Sequence, residues 1–176
     1  MFLAAILILV LFSIIIFTFS RILSRPGLSW IMAVIGGIIS WVLILLSYPD
    51  TPQTTQIIDW TRSDLLNISP ILLSDQFSWP FAVSISTLLV ATLLTDVARV
   101  EEIQPNFWST SLTITSLGLL SIYSGNPLTL ALTWSILDLF EILTRFLQVR
   151  GDLERRYVIV SLSTRILGSM LLVLTM

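Results

Sequence analysis

The sequence predicts an all-α integral membrane protein with about six transmembrane helices and an N-terminus on the outer side of the membrane. Three observations predict this class. Of the 176 residues, 55% are hydrophobic and only 11% are charged. Apolar runs of about 20 residues, the length that crosses a hydrocarbon core, recur along the chain. Arginines concentrate in alternate connections between these runs. A water-soluble domain of this size could not bury so much apolar side chain.

The apolar runs form a single transmembrane domain over residues 1–176. Prolines fall between the runs or in a first helical turn, where the missing N–H is not needed. The predicted spans are about 2–20, 28–48, 80–97, 107–124, 127–147 and 157–176. A long outer connection, 49–79, follows the second span, and its part 71–79 is predicted to pair as a short extended hairpin on the membrane surface.

The arginines predict the orientation, because cytoplasmic connections carry an excess of positive charge. With the N-terminus outside, the outer connections contain only Arg62. Arg145 then lies at the inner end of the fifth span. The inner connections contain Arg21, Arg25, Arg99, Arg150, Arg155 and Arg156.

Several classes of function are excluded by composition. The chain contains no Cys, His or Lys, which removes thiolate nucleophiles, imidazole bases and the usual transition-metal ligands. A net charge of −2 gives no reason to expect a nucleic-acid partner. We therefore expect no cofactor and no metal in this chain. The expected partners are the lipid bilayer and other membrane subunits of a larger complex.

Charged side chains within the last two spans are the candidate site. Asp138, Glu141 and Arg145 recur at spacings of three and four, which places them on one helical face. Asp138 lies about 13 Å from the inner end of span five, and Arg165 lies about 12 Å from the inner end of span six. An isolated charge at this depth costs roughly 2.5–3.5 kcal/mol, so these groups are expected to pair across the helical hairpin.

Two interpretations of this pair remain open from the residues alone. In the first, the carboxylate exchanges a proton as its cationic partner moves, so the pair lies on a proton path. In the second, the pair is permanent and holds the hairpin together or docks it against another subunit. Elsewhere, the small residues Gly36, Gly37 and Ser40 predict a close approach of another helix to span two.

The segment 124–134, with sequence SGNPLTLALTW, resembles the start of the fifth helix in the antiporter-like membrane subunits of respiratory complex I. These subunits are related to Mrp-type cation/proton antiporters. The outer N-terminus and the long outer connection are also similar to the N-terminal six-helix part of that family. The resemblance implies a membrane subunit of a complex I-like NADH:quinone oxidoreductase, contributing to proton translocation or to its scaffold. Such a chain is at most a non-catalytic subunit of the enzyme.

The resemblance also implies an energy-converting membrane, either a bacterial plasma membrane or an organelle inner membrane. The alternative is a purely structural subunit of another respiratory or photosynthetic complex. Two departures from the family matter. A glutamate normally follows the tryptophan of this helix, but Ser135 follows Trp134 here, and Asp138 lies one turn farther inward. The family subunits also continue well past six helices, so we expect a shortened homologue or the N-terminal part of a longer subunit.

Overall fold

The structure is a computed structural model that describes residues 1–22, 26–48, 52–56, 69–100, 103, 105–148, 160–161, 163–165 and 167–168. Its helices are α1 (Phe2–Ile22), α2 (Pro26–Leu46), α3 (Ser78–Thr95), α4 (Pro105–Ile122) and α5 (Pro127–Gln148), with a 3₁₀ turn at Asp96–Arg99 after α3. Two short strands, β1 (Gln53–Gln56) and β2 (Ile71–Ser74), lie between α2 and α3. The chain divides into two compact units. The first comprises Met1–Gln53 and Ser74–Tyr123, and the second comprises Thr54–Leu73 and Ser124–Met176.

Four helices are long and apolar enough to cross a membrane, and they indicate a multi-pass membrane protein. These segments are Phe2–Ser20, Gly27–Leu46, Ser78–Arg99 and Pro127–Phe146. They match the predicted spans one, two, three and five. The predicted fourth span is also a helix, α4, but its seven serines and threonines make it less apolar than the others. For the sixth span, the described residues between 160 and 168 are helical, and the rest of 157–176 lies outside the described residues.

The first unit is a bundle in which α1 contacts α2 and α4, and α2 also contacts α3 and α4. The close approach predicted at the small residues of α2 is confirmed. A Cβ atom added to Gly36 would lie 2.6 Å from Cγ of Phe12 in α1, and one added to Gly37 would lie 3.0 Å from Cδ1 of Leu93 in α3. Two neighbouring helices therefore pack against adjacent glycines of α2.

Hydroxyl groups connect α1 to α4 inside this bundle. Ser13 donates to the carbonyl oxygen of Ser109 at 2.8 Å, and Ser109 donates back to the carbonyl oxygen of Ser13 at 2.9 Å. The Ser13 hydroxyl also lies 2.6 Å from the hydroxyl of Thr113. Ser13 and Ser109 are both buried. Ser109 and Thr113 of α4 therefore pack against Ser13 of α1 through hydrogen bonds between the two helices.

The long connection between α2 and α3 differs from its prediction in one respect. Residues 71–74 are extended, as predicted, but β2 pairs with β1 and not with the residues that follow it. The reason lies at the start of α3. The backbone N–H of Ser78 donates to Oδ1 of Asp75 at 2.7 Å, and the backbone N–H of Asp75 donates to Oγ of Ser78 at 3.0 Å. This reciprocal cap begins the helix too early for a hairpin within 71–79, and the Ser78 N–H lowers the pKa of Asp75.

Apolar side chains cover the outer faces of the helices, as expected for residues that meet lipid or other membrane subunits. The exposed faces of α1 and α2 are aliphatic over most of their length. Large exposed side chains on α1, α3 and α5 include Leu7, Leu11, Ile14, Phe17, Phe81, Leu88, Leu139 and Leu143. This outward apolar surface supports the membrane assignment independently of helix length.

Candidate functional site

The charged residues of the site project from α5, and the start of this helix is fixed by local sequence. Asn126 immediately precedes α5, and its Oδ1 accepts hydrogen bonds from the backbone N–H of Thr129 at 2.7 Å and from the Thr129 hydroxyl. Pro127 occupies the first helical position, where its missing N–H and fixed φ angle favour helix initiation. The carbonyl oxygen of Asn126 accepts the N–H of Leu130 at 3.0 Å. Asn126 is therefore the N-cap of α5.

The same residues attach α5 to β2. The Gly125 N–H donates to the carbonyl oxygen of Ile71 at 2.8 Å, and the Asn126 side-chain amide donates to the carbonyl oxygen of Ser69 at 2.7 Å. The Ile71 N–H donates to the Thr129 hydroxyl at 2.9 Å. A Cβ atom on Gly125 would lie 3.0 Å from Cβ of Leu73 and 3.2 Å from the carbonyl oxygen of Ile71, so a larger residue would crowd this approach. Gly125, Asn126 and Thr129 thus join the connection between α2 and α3 to the start of α5.

Substitutions at Asn126 separate its two roles. We expect Asn126→Ala to lower the free energy of unfolding by about 2 kcal/mol, because it removes both the cap and the bond to Ser69. Asn126→Asp keeps the capping oxygen and loses only the amide donor, so about half of that loss is expected. The measurement is thermal and denaturant unfolding of the purified chain in mild detergent. Equal stability of both variants and the unaltered chain would contradict the attachment.

The structure brings the predicted site residues into one cluster. Nη1 of Arg165 lies 2.8 Å from Oδ1 of Asp138 and 2.6 Å from Oε2 of Glu141. Nη2 of Arg145 lies 2.5 Å from Oε1 of Glu141, one helical turn away. Arg165 is described as part of a helical segment, so the cluster joins this segment to α5.

Exposure falls along the cluster from Arg145 to Asp138. The side chain of Arg145 is 60% exposed, Arg165 is 32%, Glu141 is 21% and Asp138 is 15%. The two carboxylate oxygens of Glu141 accept hydrogen bonds from two different arginines, Arg145 and Arg165. Oδ1 of Asp138 accepts a hydrogen bond from Nη1 of Arg165, the same nitrogen that donates to Glu141. Among the residues that the structure describes, the cluster contains two carboxylates and two guanidinium groups, and their formal charges sum to zero. The least exposed carboxylates, Asp138 and Glu141, each contact an arginine, as partly buried charges require.

Two positions near the cluster take no part in it. Ser135, which stands where the resembled family has glutamate, is exposed, and its hydroxyl donates to the carbonyl oxygen of Ala131 in its own helix at 2.7 Å. Trp134 is exposed on α5. Sequence reasoning placed Arg145 nearer the inner interface and did not pair it with Glu141. The spacing of four residues was the signal for that pair.

The described residues contain no group of acidic side chains that could hold a metal ion. No family model matches this chain, and a search of curated proteins returned no match. The geometry of the cluster and the start of α5 are thus the observations on which a functional proposal can rest.

Proposed function

We propose that this chain is a membrane subunit of a complex I-like NADH:quinone oxidoreductase and contributes to proton translocation. The observation that carries the proposal is the Asp138–Arg165–Glu141 cluster, which places compensated charges within a helix that is otherwise apolar enough to cross a membrane. Intramembrane ionisable groups commonly mark ion and proton pathways. The resemblance of residues 124–134 to the fifth helix of antiporter-like subunits supports the same assignment.

The sharing of Arg165 provides a means for proton exchange at Asp138. The guanidinium is bonded to both carboxylates through one nitrogen, and Glu141 has a second cation in Arg145. A small shift of Arg165 toward Glu141 would leave Asp138 without a cation in a low-dielectric environment. A carboxylate in that state takes up a proton, and the return of Arg165 releases it. Arg165 itself stays charged throughout, since arginine does not lose its proton in proteins.

Other membrane subunits are needed for a complete path in this proposal. Within α1 to α4, the sequence has Arg21 as its single ionisable residue, in the last turn of α1. Hydroxyls alone neither accept nor release a proton readily at neutral pH. The chain therefore hands the proton from α5 to groups of neighbouring subunits, in a bacterial plasma membrane or an organelle inner membrane.

A structural role is the second candidate, and the charge balance of the cluster favours it. Two arginines matched by two carboxylates could remain paired permanently and fix the helical segment of Arg165 to α5. In that case, the chain is a scaffold subunit of a respiratory or photosynthetic complex.

Proton pumping by an Asp138→Asn variant separates the two candidates. Asparagine keeps the size and an acceptor oxygen for Arg165, so the complex should assemble and oxidise its substrate. In membrane vesicles containing the complete complex, we expect the ratio of protons pumped to electrons transferred to fall at least twofold. Asp96→Asn, outside the cluster, is the control and should pump at the normal ratio. A normal ratio in Asp138→Asn would refute the proton-path role and leave the structural one.

A further inference from the structure

Arg145 is the most exposed member of the charged cluster. Its side chain is 60% exposed, and it lies in the last turn of α5. Its Nη2 atom lies 2.5 Å from Oε1 of Glu141, one helical turn earlier. An ion pair with so exposed a member is weak, because solvent competes for both charges. Arg145 can therefore exchange between Glu141 and the aqueous phase at the end of the helix.

Arg165 is held between two carboxylates through a single nitrogen. Its Nη1 atom donates to Oδ1 of Asp138 at 2.8 Å and to Oε2 of Glu141 at 2.6 Å. Among the described residues, Arg145 and Arg165 are the cations that contact these two carboxylates. While Arg145 holds Oε1 of Glu141, Arg165 meets that carboxylate through Oε2 and is shared with Asp138. The pairing of Asp138 therefore depends on what Glu141 binds at its other oxygen.

We propose that Arg145 is a positioning residue that decides which carboxylate Arg165 pairs with. When Arg145 leaves Glu141, Oε1 opens, and the Arg165 guanidinium can pair with both oxygens of Glu141, a favoured geometry for arginine and a carboxylate. Arg165 then moves away from Asp138, the least exposed member of the cluster, which takes up a proton instead. Return of Arg145 to Glu141 releases Arg165 to Asp138, and the proton leaves.

This inference deepens the proposed proton exchange at Asp138 and rests on it. It adds a control of that exchange from the exposed end of α5, seven positions farther along the helix. A purely local role for Arg145 has a different consequence. If Arg145 only neutralises Glu141, its loss leaves Glu141 poorly compensated while Asp138 keeps Arg165. The two roles therefore differ in which carboxylate becomes protonated when Arg145 is removed.

Dicyclohexylcarbodiimide tests this difference, because it reacts with protonated carboxyl groups in apolar surroundings. The complete chain in lipid nanodiscs is treated at neutral pH, and the modification of each acidic residue is measured by mass spectrometry with fragmentation. In Arg145→Gln, we expect the labelling rate of Asp138 to rise about threefold or more and that of Glu141 to change by less than about twofold. Arg145→Lys keeps a cation beside Glu141 and should restore slow labelling of Asp138.

Arg99→Gln is the matched control, because it removes an exposed arginine outside the cluster and should leave the labelling of both carboxylates unchanged. Faster labelling of Glu141 alone in Arg145→Gln would overturn the proposal and show a local role. Equal increases at Asp138 and Glu141, or no increase at Asp138, would overturn it as well. A normal pumping ratio in Asp138→Asn would refute the proton path but would not alter this labelling pattern, so the two failures are distinguishable.

Discussion

Replacing Arg165 with leucine is expected to lower the free energy of unfolding by about 3 kcal/mol, because it leaves Asp138 partly buried without a cation. Arg165 bonds both carboxylates of the cluster, at 2.8 and 2.6 Å. Glu141 keeps a partner in this variant, since Arg145 still binds its other oxygen. The loss therefore comes mainly from Asp138, the least exposed member of the cluster.

Two double variants test this account with the same number of substitutions. Asp138→Leu with Arg165→Leu removes one charge of each sign and leaves the Glu141–Arg145 pair intact, so it should recover most of the lost stability. Glu141→Leu with Arg165→Leu is the matched control. It leaves Asp138 without a cation, and Arg145 without its carboxylate, so no recovery is expected. The measurements are unfolding in mild detergent and the amount of folded chain that accumulates in the membrane. Equal recovery in both double variants would show that Asp138 does not depend on Arg165.

The second large effect is expected at Gly36. A methyl group at this position would lie 2.6 Å from Cγ of Phe12, so Gly36→Ala forces α1 and α2 apart. Overpacking of this kind typically costs about 1–3 kcal/mol. Gly118→Ala is the control, because a Cβ atom there meets nothing within 4 Å and alanine favours the helix. We expect that variant to be at least as stable as the unaltered chain.

A double-variant cycle with Phe12→Ala assigns the loss at Gly36 to this contact. Alanine lacks the Cγ and Cδ1 atoms of Phe12, which would lie 2.6 and 3.0 Å from the added Cβ, so Gly36→Ala should cost less in its presence than in the unaltered chain. We expect a coupling free energy of about 1 kcal/mol between the two positions. The assay is thermal unfolding of all four proteins in the same detergent. Strictly additive losses would place the effect of Gly36→Ala somewhere other than Phe12.

The sequence was most informative where one physical constraint dominates. Crossing a hydrocarbon core requires about 20 apolar residues, and this length alone located α1, α2, α3 and α5. The depth of a charge in a span is also readable from residue counts. The expected proximity of Asp138 and Arg165 followed from that depth, because an antiparallel hairpin brings equal depths together.

No pattern in the sequence predicted the contacts between residues that are far apart along the chain. Asn126 donates to Ser69, 57 residues earlier, and nothing in either local sequence indicates the partner. The local sequence predicted a hairpin within 71–79, of which only 71–74 is extended, and the pairing of this strand with β1 depends on long-range packing. Tyr123 lies near a helix end, as an interfacial ring should. The sequence pattern could not show that its hydroxyl is buried rather than exposed at the membrane surface.

The bonds between Ser13 and Ser109 have a consequence for the order in which the bundle can be completed during synthesis. The two residues are 96 positions apart, so α1 enters the membrane well before its partner α4 has been made. Until α4 arrives, α1 can pack on α2 through Phe12 and Gly36, but its serine face lacks its final neighbour. Chains interrupted after α3 therefore keep the Ser13 hydroxyl without its hydrogen-bond partners on α4. Closure of the bundle by α4 is the step that commits the first unit to its final fold.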